Sequence, residues 1–512
     1  MRITNNMIMH NTSNNINGNK VNVDRLNNQM SSQKKIQRPS EDPVIAVRAL
    51  RLRSALSQVN QYYQRNIPDA ESWLSVTDTA IYNMETLVRD IRSEAVYGAG
   101  DDLKESDRQA ILEQMQKLRE QVYAEGNTDY AGRTVFTGFH TNKKLTFMTN
   151  EKDTTYNITQ GFTYKDIEEH RYYSGDVTIP NNAQQAVDNP ISEPEESIYQ
   201  RIRLSYGKVS GNAQDPGDTT NPVITYTTQN MTTPTQIAPT VYDNYKDWEA
   251  ASANGYDIPA GGAVFIKDSG ELILSDELAS DLKGGKADVS ISYQKTGFNE
   301  GELRPEYYYN CTDVTDTNHP IEYTKFDEDG NEIYQDMKFT VASNQTLTVN
   351  TNASDVFDAA LGRDMDEMIT AVQRSIDAHQ KLTDLKAMKK MDEYADPEAQ
   401  ERLDKWITAV GKECDYADDN MQKLYNTCIG KCDKYLEKID LAQTVVGSKG
   451  KTLELVKKRM SQQQTTIEEL KSTNEDRELS DIIIDYTAAY NAYSASLQAA
   501  AKANQSTLLN YI

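Results

Sequence analysis

Three short stretches hold the residue types from which chemistry could be built. Gly447-Ser448-Lys449-Gly450-Lys451-Thr452 has the outline of a phosphate-binding loop, in which backbone N–H groups cradle phosphates and a lysine reaches them. Such a loop needs glycine at 445, where Val445 stands, and a strand before it, whereas an apolar 3-4 stripe runs straight through. The expectation is a helix with close packing at Gly450. Cys428 and Cys432, one helical turn apart, could form half a metal site. They lie on a stripe with Met421, Tyr425, Tyr435 and Ile439, and no histidine is near in sequence, so buried thiols are expected. Asp327, Asp329 and Asn331, followed by Glu332, copy the opening of a calcium loop, but Lys338 replaces its twelfth-position carboxylate. That leaves a solvated hairpin tip. The histidines (His10, His140, His170, His319, His379) are dispersed, and spacing assembles no Ser/His/Asp or Cys/His constellation. No catalytic, cofactor-binding or metal-ligating residue is assigned, no cofactor is implied, and no enzyme is inferred.

The elements that carry these residues fall into three textures. Residues 1–36 are rich in Asn, whose side chain competes with helical backbone bonds, so this segment alone should be poorly ordered. From Ile45 a 3-4 stripe runs through Ala49, Leu52, Leu56, Val59 and Tyr63, then Ala70, Leu74, Thr77, Ile81, Met84, Val88, Ile91 and Ala95. Pro68 removes a backbone donor inside it, which predicts a kink but no domain boundary. A second helix should begin at Ser106, with Gln109 completing a capping box, and carry Ile111, Met115, Leu118 and Val122. Residues 141–353 change to Thr, Tyr, Asn, Gly and Pro with short alternating runs, the texture of strands and turns. Residues 323–339, YTKFDEDGNEIYQDMKF, read as a hairpin. The helical period then returns, with Ile439, Ala442, Val446, Gly450, Leu453, Val456, Met460, Ile467 and Leu470 on one helix. Ile483, Tyr486, Tyr490, Tyr493, Leu497, Ala500, Asn504 and Leu508 lie on another. No repeat of solenoid length is present. The fold expected is mainly α with a β-rich insertion: long helices at both ends form a coiled bundle, and a central domain of strands projects outward.

Charge narrows the functions further. A formal charge of −24 over 512 residues argues against nucleic-acid binding, which depends on cationic surface. No apolar run is long enough to insert into a bilayer, and the opening MRITNNMIMHNTSNN lacks a signal peptide's apolar stretch, so export is expected by another route. Four cysteines are too few for a disulfide framework. In QRPSEDPVIAVRALRLRS, Asp42 and Pro43 mark a helix start, because Asp accepts a first-turn N–H and proline is pre-set for the first helical position. Arg48, Arg51 and Arg53 lie mainly off the apolar stripe, as a solvated or ion-paired face. Residues 1–65 carry ten Lys/Arg and three Asp/Glu, net +7, against three and seven in 463–512, net −4. The ends are electrostatic complements, which favours pairing of unlike terminal helices.

At this point a resemblance is specific. QMSSQKKIQRPSEDPVIAVRALRLRSALSQVNQYYQRN with AESWLSVTDTAI resembles the N-terminal region of the bacterial flagellar hook-filament junction proteins, the hook-associated protein 3 type of the flagellin superfamily. GNTDYAGRTVFTGFHT (126–141) is similar to that family's turn after the second helix, and STNEDRELSDIIIDYTAAYNAYSASLQAAAKANQSTLLNYI to its C-terminal helix. Flagellin itself usually has Ser-Ala-x-Asp-Asp-Ala-Ala-Gly where Arg38 to Pro43 stand, and usually ends in Leu-Leu-Arg where this chain has Leu508 to Ile512; both differences favour the junction type. The resemblance implies export through the flagellar type III channel and a place outside the cell at the hook-filament junction. It implies as partners further copies in a ring, the other junction protein, flagellin or filament-side subunits, and an export chaperone, with neither nucleic acid nor membrane insertion. It also implies a division into 1–44 with 475–512, disordered until assembly, 45–140 with 354–474 as the long-helix bundle, and 141–353 as the outer domain. Ile45, Leu52, Leu56, Leu74, Ile81 and Met84 are the expected bundle core, and Leu479, Ile483, Tyr486, Tyr490, Tyr493 and Leu497 the expected assembly helix. The rival readings are flagellin proper, a secreted enzyme or adhesin on flagellin-like ends, and a cytosolic coiled-coil scaffold.

Overall fold

The computed structural model describes residues 5–100, 103–174, 176–215, 217–228, 233–252, 256–327 and 330–505. Asp329, Leu508 and the side chain of Asn504 lie outside the described residues. Helices α1 (Asn5–Ser32), α2 (Pro43–Gln61), α3 (Ile67–Gly98) and α4 (Glu105–Gln121) come first. The next stretch holds β1 (Asp129–Tyr130), β2 (Arg133–Thr134), β3 (Glu151–Thr163), β4 (Glu168–Ser174), α5 (Ala183–Asp188) and β5 (Glu195–Arg203). It continues with β6 (Val223–Thr227), β7 (Thr235–Ile237), β8 (Thr240–Tyr242), α6 (Tyr245–Ala251), β9 (Ala263–Ile266) and β10 (Glu271–Leu274). It closes with α7 (Asp276–Gly284), β11 (Asp288–Phe298), β12 (Asn310–Asp313), β13 (Ile321–Tyr323), β14 (Lys338–Ala342) and β15 (Gln345–Thr348). Then α8 (Ala353–Val356), α9 (Ala359–Met388), α10 (Pro397–Glu475) and α11 (Leu479–Gln505) follow. The chain is thus mainly helical with a strand-rich centre, and no helix among the described residues is long and apolar enough to cross a membrane.

The chain divides into two units. The first comprises, among the described residues, 5–71, 339–347 and 450–505. Here α1 packs along α11, so the Asn-rich segment is helical where a partner helix lies beside it: packing overrides weak propensity. Asp42 caps α2, its carboxylate accepting the N–H groups of Val44 at 2.9 Å and Ile45 at 3.1 Å, and Pro43 occupies the first helical turn. Between α2 and α3 the kink expected at Pro68 is met by a π-helical turn over Tyr62–Asn66, in which the Ile67 N–H bonds the Tyr62 carbonyl five residues back. Proline withholds one N–H and crowds the carbonyl four residues before it; a wider turn relieves both. The units divide at Glu71, three residues past Pro68, where the sequence indicated no boundary. Hydrogen-bond partners change there: Asn66 bonds the Thr340 carbonyl and Glu71 pairs with Lys457, whereas Arg92 pairs with Asp433.

The second unit comprises 72–338 and 348–449. Its helical part buries Leu74, Ile81, Met84, Val88 and Ile91 of α3, Ile111, Met115 and Leu118 of α4, Leu361, Met365 and Val372 of α9, and Tyr425 and Ile439 of α10. The α4 cap lies two residues before the one read from sequence: Lys104 is the N-cap, the helix starts at Glu105, and the Asp107 carboxylate, not a Ser106/Gln109 pair, accepts the Lys104 N–H. Two sheets share one core. The six-stranded sheet is ordered β13-β12-β3-β11-β6-β7, antiparallel throughout, and the five-stranded sheet β4-β5-β10-β9-β8, antiparallel except for β8 with β9. Ile158, Val289 and Ile291 from the first meet Ile202, Phe265, Leu272 and Leu274 from the second. The alternate residues of β9 and β10, namely Val264, Ile266 and Ile273, enter a separate core with Tyr199, Trp248 and Tyr256. Strands buried on both faces read as unbroken apolar runs, as Ala263–Ile266 does. Of the hairpin expected over 323–339, the bridge of Phe326 with Glu332 is formed among the described residues.

Candidate functional site

In the first unit the turn after α1 and the turn before α11 are bonded together. The Lys35 N–H donates to the Glu475 carbonyl at 2.8 Å and the Arg477 N–H to the Gln33 carbonyl at 3.0 Å. Arg53 reaches the Glu475 carboxylate with two parallel bonds, Nε to Oε1 at 2.8 Å and Nη2 to Oε2 at 2.7 Å. Lys34 pairs with Asp476, and Asn474 Nδ2 donates to the Ile45 carbonyl at 3.1 Å. The bond from Arg53 holds the Glu475 carboxyl below its ordinary range, and the bond from Lys34 does the same for Asp476. Of the three arginines after Pro43, then, Arg53 is ion-paired, while Arg48 and Arg51 are exposed.

The side chains around this clasp sort into two sets. Leu26 and Ile482 are buried in the α1–α11 layer. Leu479, Ile483, Tyr490 and Leu497 are exposed, and Tyr486 and Tyr493 half-buried, with the rings of Tyr486 and Tyr490 stacked at 6.1 Å. On α2 the buried residues are Ala46, Ala49 and Val59; Ile45, Leu52 and Leu56 are half-buried, and Val44, Val47 and Leu50 exposed. Leu74, Ile81 and Met84 are buried. Apolar surface therefore remains uncovered along both α2 and α11. Gly450 corrects the expectation of close packing: a Cβ there would meet nothing within 4 Å. The Gly447–Thr452 stretch lies inside α10 as helix, so its N–H groups point along the axis and cradle nothing.

The second unit contains a buried ionic network that the sequence reading missed. Arg201 and Arg203, two apart on β5, share one face of the strand. Arg201 bonds Glu168 (Nε to Oε1, 3.0 Å), Glu271 and Glu367 (Nη2 to Oε1, 2.8 Å). Arg203 bonds Glu367 (Nη1 to Oε2, 2.7 Å) and Asp364, and Lys431 bonds Asp364 at 2.9 Å and Glu168 at 3.1 Å. Burial pushes the Glu168 and Glu271 carboxyls up, but Arg201, together with Lys431 and Arg203 at Glu168 and with the Tyr245 hydroxyl at Glu271, outweighs it and each is held at about 2. Burial, reinforced by Arg201, lowers His170 to about 4, so its imidazole is neutral at pH 7. Ligand atoms of His170, Glu271 and Glu367 lie within 4.8 Å of one another. The Arg201 guanidinium already supplies the positive charge at this point, and the arrangement is that of a closed structural network. Cys428 and Cys432 are buried free thiols with sulfurs 3.7 Å apart, and their mutual contact, then burial, pushes the Cys428 thiol up.

Residues 3–141 match the family described as the bacterial flagellin N-terminal helical region. The chain is similar to flagellar hook-associated protein 3 of Salmonella typhimurium, 28% identical over 142 residues, which are 28% of this chain and 44% of that protein. It is similar to the protein of the same name from Escherichia coli, 31% identical over 114 residues, 22% of this chain and 36% of the other. The matched stretch spans less than half the length of these relatives. Among solved structures, a putative flagellar hook-associated protein from Vibrio parahaemolyticus aligns with 85% of this chain and all of its own, at 11% identity and a TM-score of 0.36. Hook-associated protein 3 from Legionella pneumophila aligns with 82% of this chain and 96% of its own, at 12% identity and a TM-score of 0.31.

Proposed function

We propose that this chain is a structural subunit of the bacterial flagellum that joins hook to filament by self-assembly of its terminal helices. The observation that carries the reading is the pairing of α1 with α11, clasped by Arg53 and Glu475, with an apolar face left uncovered on α11. The match of residues 3–141 to the flagellin N-terminal region supports it. The clasp brings the chain ends together without closing their outer faces, and burying those faces against sister copies supplies the affinity. In this reading Leu479, Ile483, Tyr486, Tyr490, Tyr493 and Leu497 face neighbouring subunits. In the free subunit the α1–α11 layer is only marginally ordered around the clasp and becomes fixed on docking, so that ordering entropy restrains free subunits from polymerising. Export by the flagellar type III route, masking of the C-terminal face by a chaperone, a ring of copies between the other junction protein and the filament, and a scaffolding rather than catalytic role belong to the same proposal. Immunogold labelling of isolated flagella tests it. Gold confined to the distal end of the hook is expected; gold along the whole filament assigns the chain to flagellin, and its absence from sheared flagella overturns the reading.

A further inference from the structure

A cavity of about 270 Å³ opens beside the ionic network, wholly within the second unit. One wall is a single face of α9, carrying Arg363, Glu367, Thr370 and Arg374 at helical spacing. The facing wall holds Tyr172 and Tyr245, stacked at 4.2 Å with their planes 14° apart. The carboxylates around the cavity are already engaged: Glu271 by Arg201 and Tyr245, Glu367 by Arg201 and Arg203, Asp366 by Arg119 at 2.8 Å. Two guanidinium groups are not. Arg363 gives one bond to the Ser269 carbonyl and has a buried Nε with no hydrogen-bond partner, and the Arg374 guanidinium lies 5.6 Å from the Tyr172 ring. Neither pairs with a carboxylate among the described residues. Burial, then the neighbouring Arg203, pulls Arg363 below the usual arginine range, as expected of a cation short of counter-charge.

The geometry points to a binding site for a small hydroxylated carboxylic acid of the uronic-acid class, with its carboxylate on Arg363 or Arg374 and its ring against Tyr172. A planar carboxylate matches the guanidinium fork. A single charge suits this cavity better than a phosphate dianion, because three paired carboxylates also line it. Thr370, Asn420 and the neutral His170 offer donors and acceptors to ring hydroxyls. The volume accommodates one monosaccharide. This inference does not depend on the junction role.

The test is calorimetric titration of the full-length chain with D-glucuronate, with D-glucose and acetate as controls. Saturable binding with a midpoint on the order of 1 mM is expected, the affinity that about a dozen non-hydrogen atoms commonly attain. Glucose and acetate should each bind at least about tenfold more weakly, and Arg363→Gln should cost about tenfold. Because Arg374 is exposed, Arg374→Gln leaves the fold intact and should also weaken binding several-fold. Absence of glucuronate binding up to roughly 50 mM overturns the assignment. So does an equal response to glucose or acetate, or unchanged affinity in both variants.

Discussion

Replacing Arg53 by Met tests how the chain ends are joined. Glu475 is 5% exposed and Arg53 57%, so the substitution leaves a nearly buried carboxylate without its two-bond partner. Stranding one member of a fully buried pair costs about 3–5 kcal/mol. Half of this pair is solvated, and Lys34 Nζ remains 3.7 Å from Glu475, so the expected cost is about 2 kcal/mol. At ~1.4 kcal/mol per decade that is about thirtyfold in the local opening equilibrium. Native-state hydrogen exchange in the unassembled chain reads it directly at two amides, Lys35, which donates to the Glu475 carbonyl, and Arg477, which donates to the Gln33 carbonyl. Both should lose protection together, while amides in α4 and α9 keep theirs. Glu475→Gln, which keeps one acceptor, should lose about threefold to tenfold. Protection changed by less than about twofold in Arg53→Met would refute the clasp as the joint between the ends.

Further outcomes separate packing from assembly. Ile482→Ala should destabilise the α1–α11 layer by about 2–4 kcal/mol, read as exchange in α1, because that side chain is fully buried. Ile483→Ala, at an exposed position, should leave the monomer within about 0.5 kcal/mol and instead raise the critical concentration for polymerisation. Deleting 479–512 should abolish incorporation into polymer while the second unit stays folded by circular dichroism; normal incorporation would remove α11 from the interface. Gly98→Ala should cost about 1–3 kcal/mol in urea melts, since its Cβ would stand 2.5 Å from the buried Tyr425 ring. His170 is held at about 4 against an ordinary 6.5, so the unfolded chain takes up its proton first and stability falls as pH drops from 6.5 to 4. Glu168 and Glu271, held at about 2 against 4.5, contribute fully above pH 4.5 and lose that contribution as pH falls towards 2. Urea midpoints against pH should show both losses, and His170→Gln should flatten the first alone.

What could be read from the sequence followed from local periodicity. The stripes from Leu74 to Ala95 and from Ile439 to Met460 lie on helices with most of their members buried, and the change of texture after 141 marks where strands take over. Asp42 and Pro43 start α2 because a cap depends on three or four neighbouring atoms. The ionic network stayed hidden because its members come from five distant segments, although Arg201 and Arg203 alternating with Ile202 and Leu204 was a usable signal. Ile482, Ile483 and Ile484 in succession conceal which one turns inward; only the position of α1 selects Ile482. Sheet order was out of reach, since β3 pairs with β11 across more than a hundred residues. Ser106 was a plausible cap, but Asp107 one residue later reaches the free N–H.

The π-turn at Tyr62–Asn66 fits one additional residue into what is otherwise an unbroken screw. Val59 and Ile67, eight positions apart, are both buried as a result, a spacing that a regular α-helix drifts away from by about 80° over two turns. Deleting one of these five residues would return the turn to a regular α-helix in which Val59 and Ile67, then seven positions apart, still lie within about 20° of one face. The turn thus takes up locally a residue that, in a regular helix, would rotate everything before it by about 100° against everything after it.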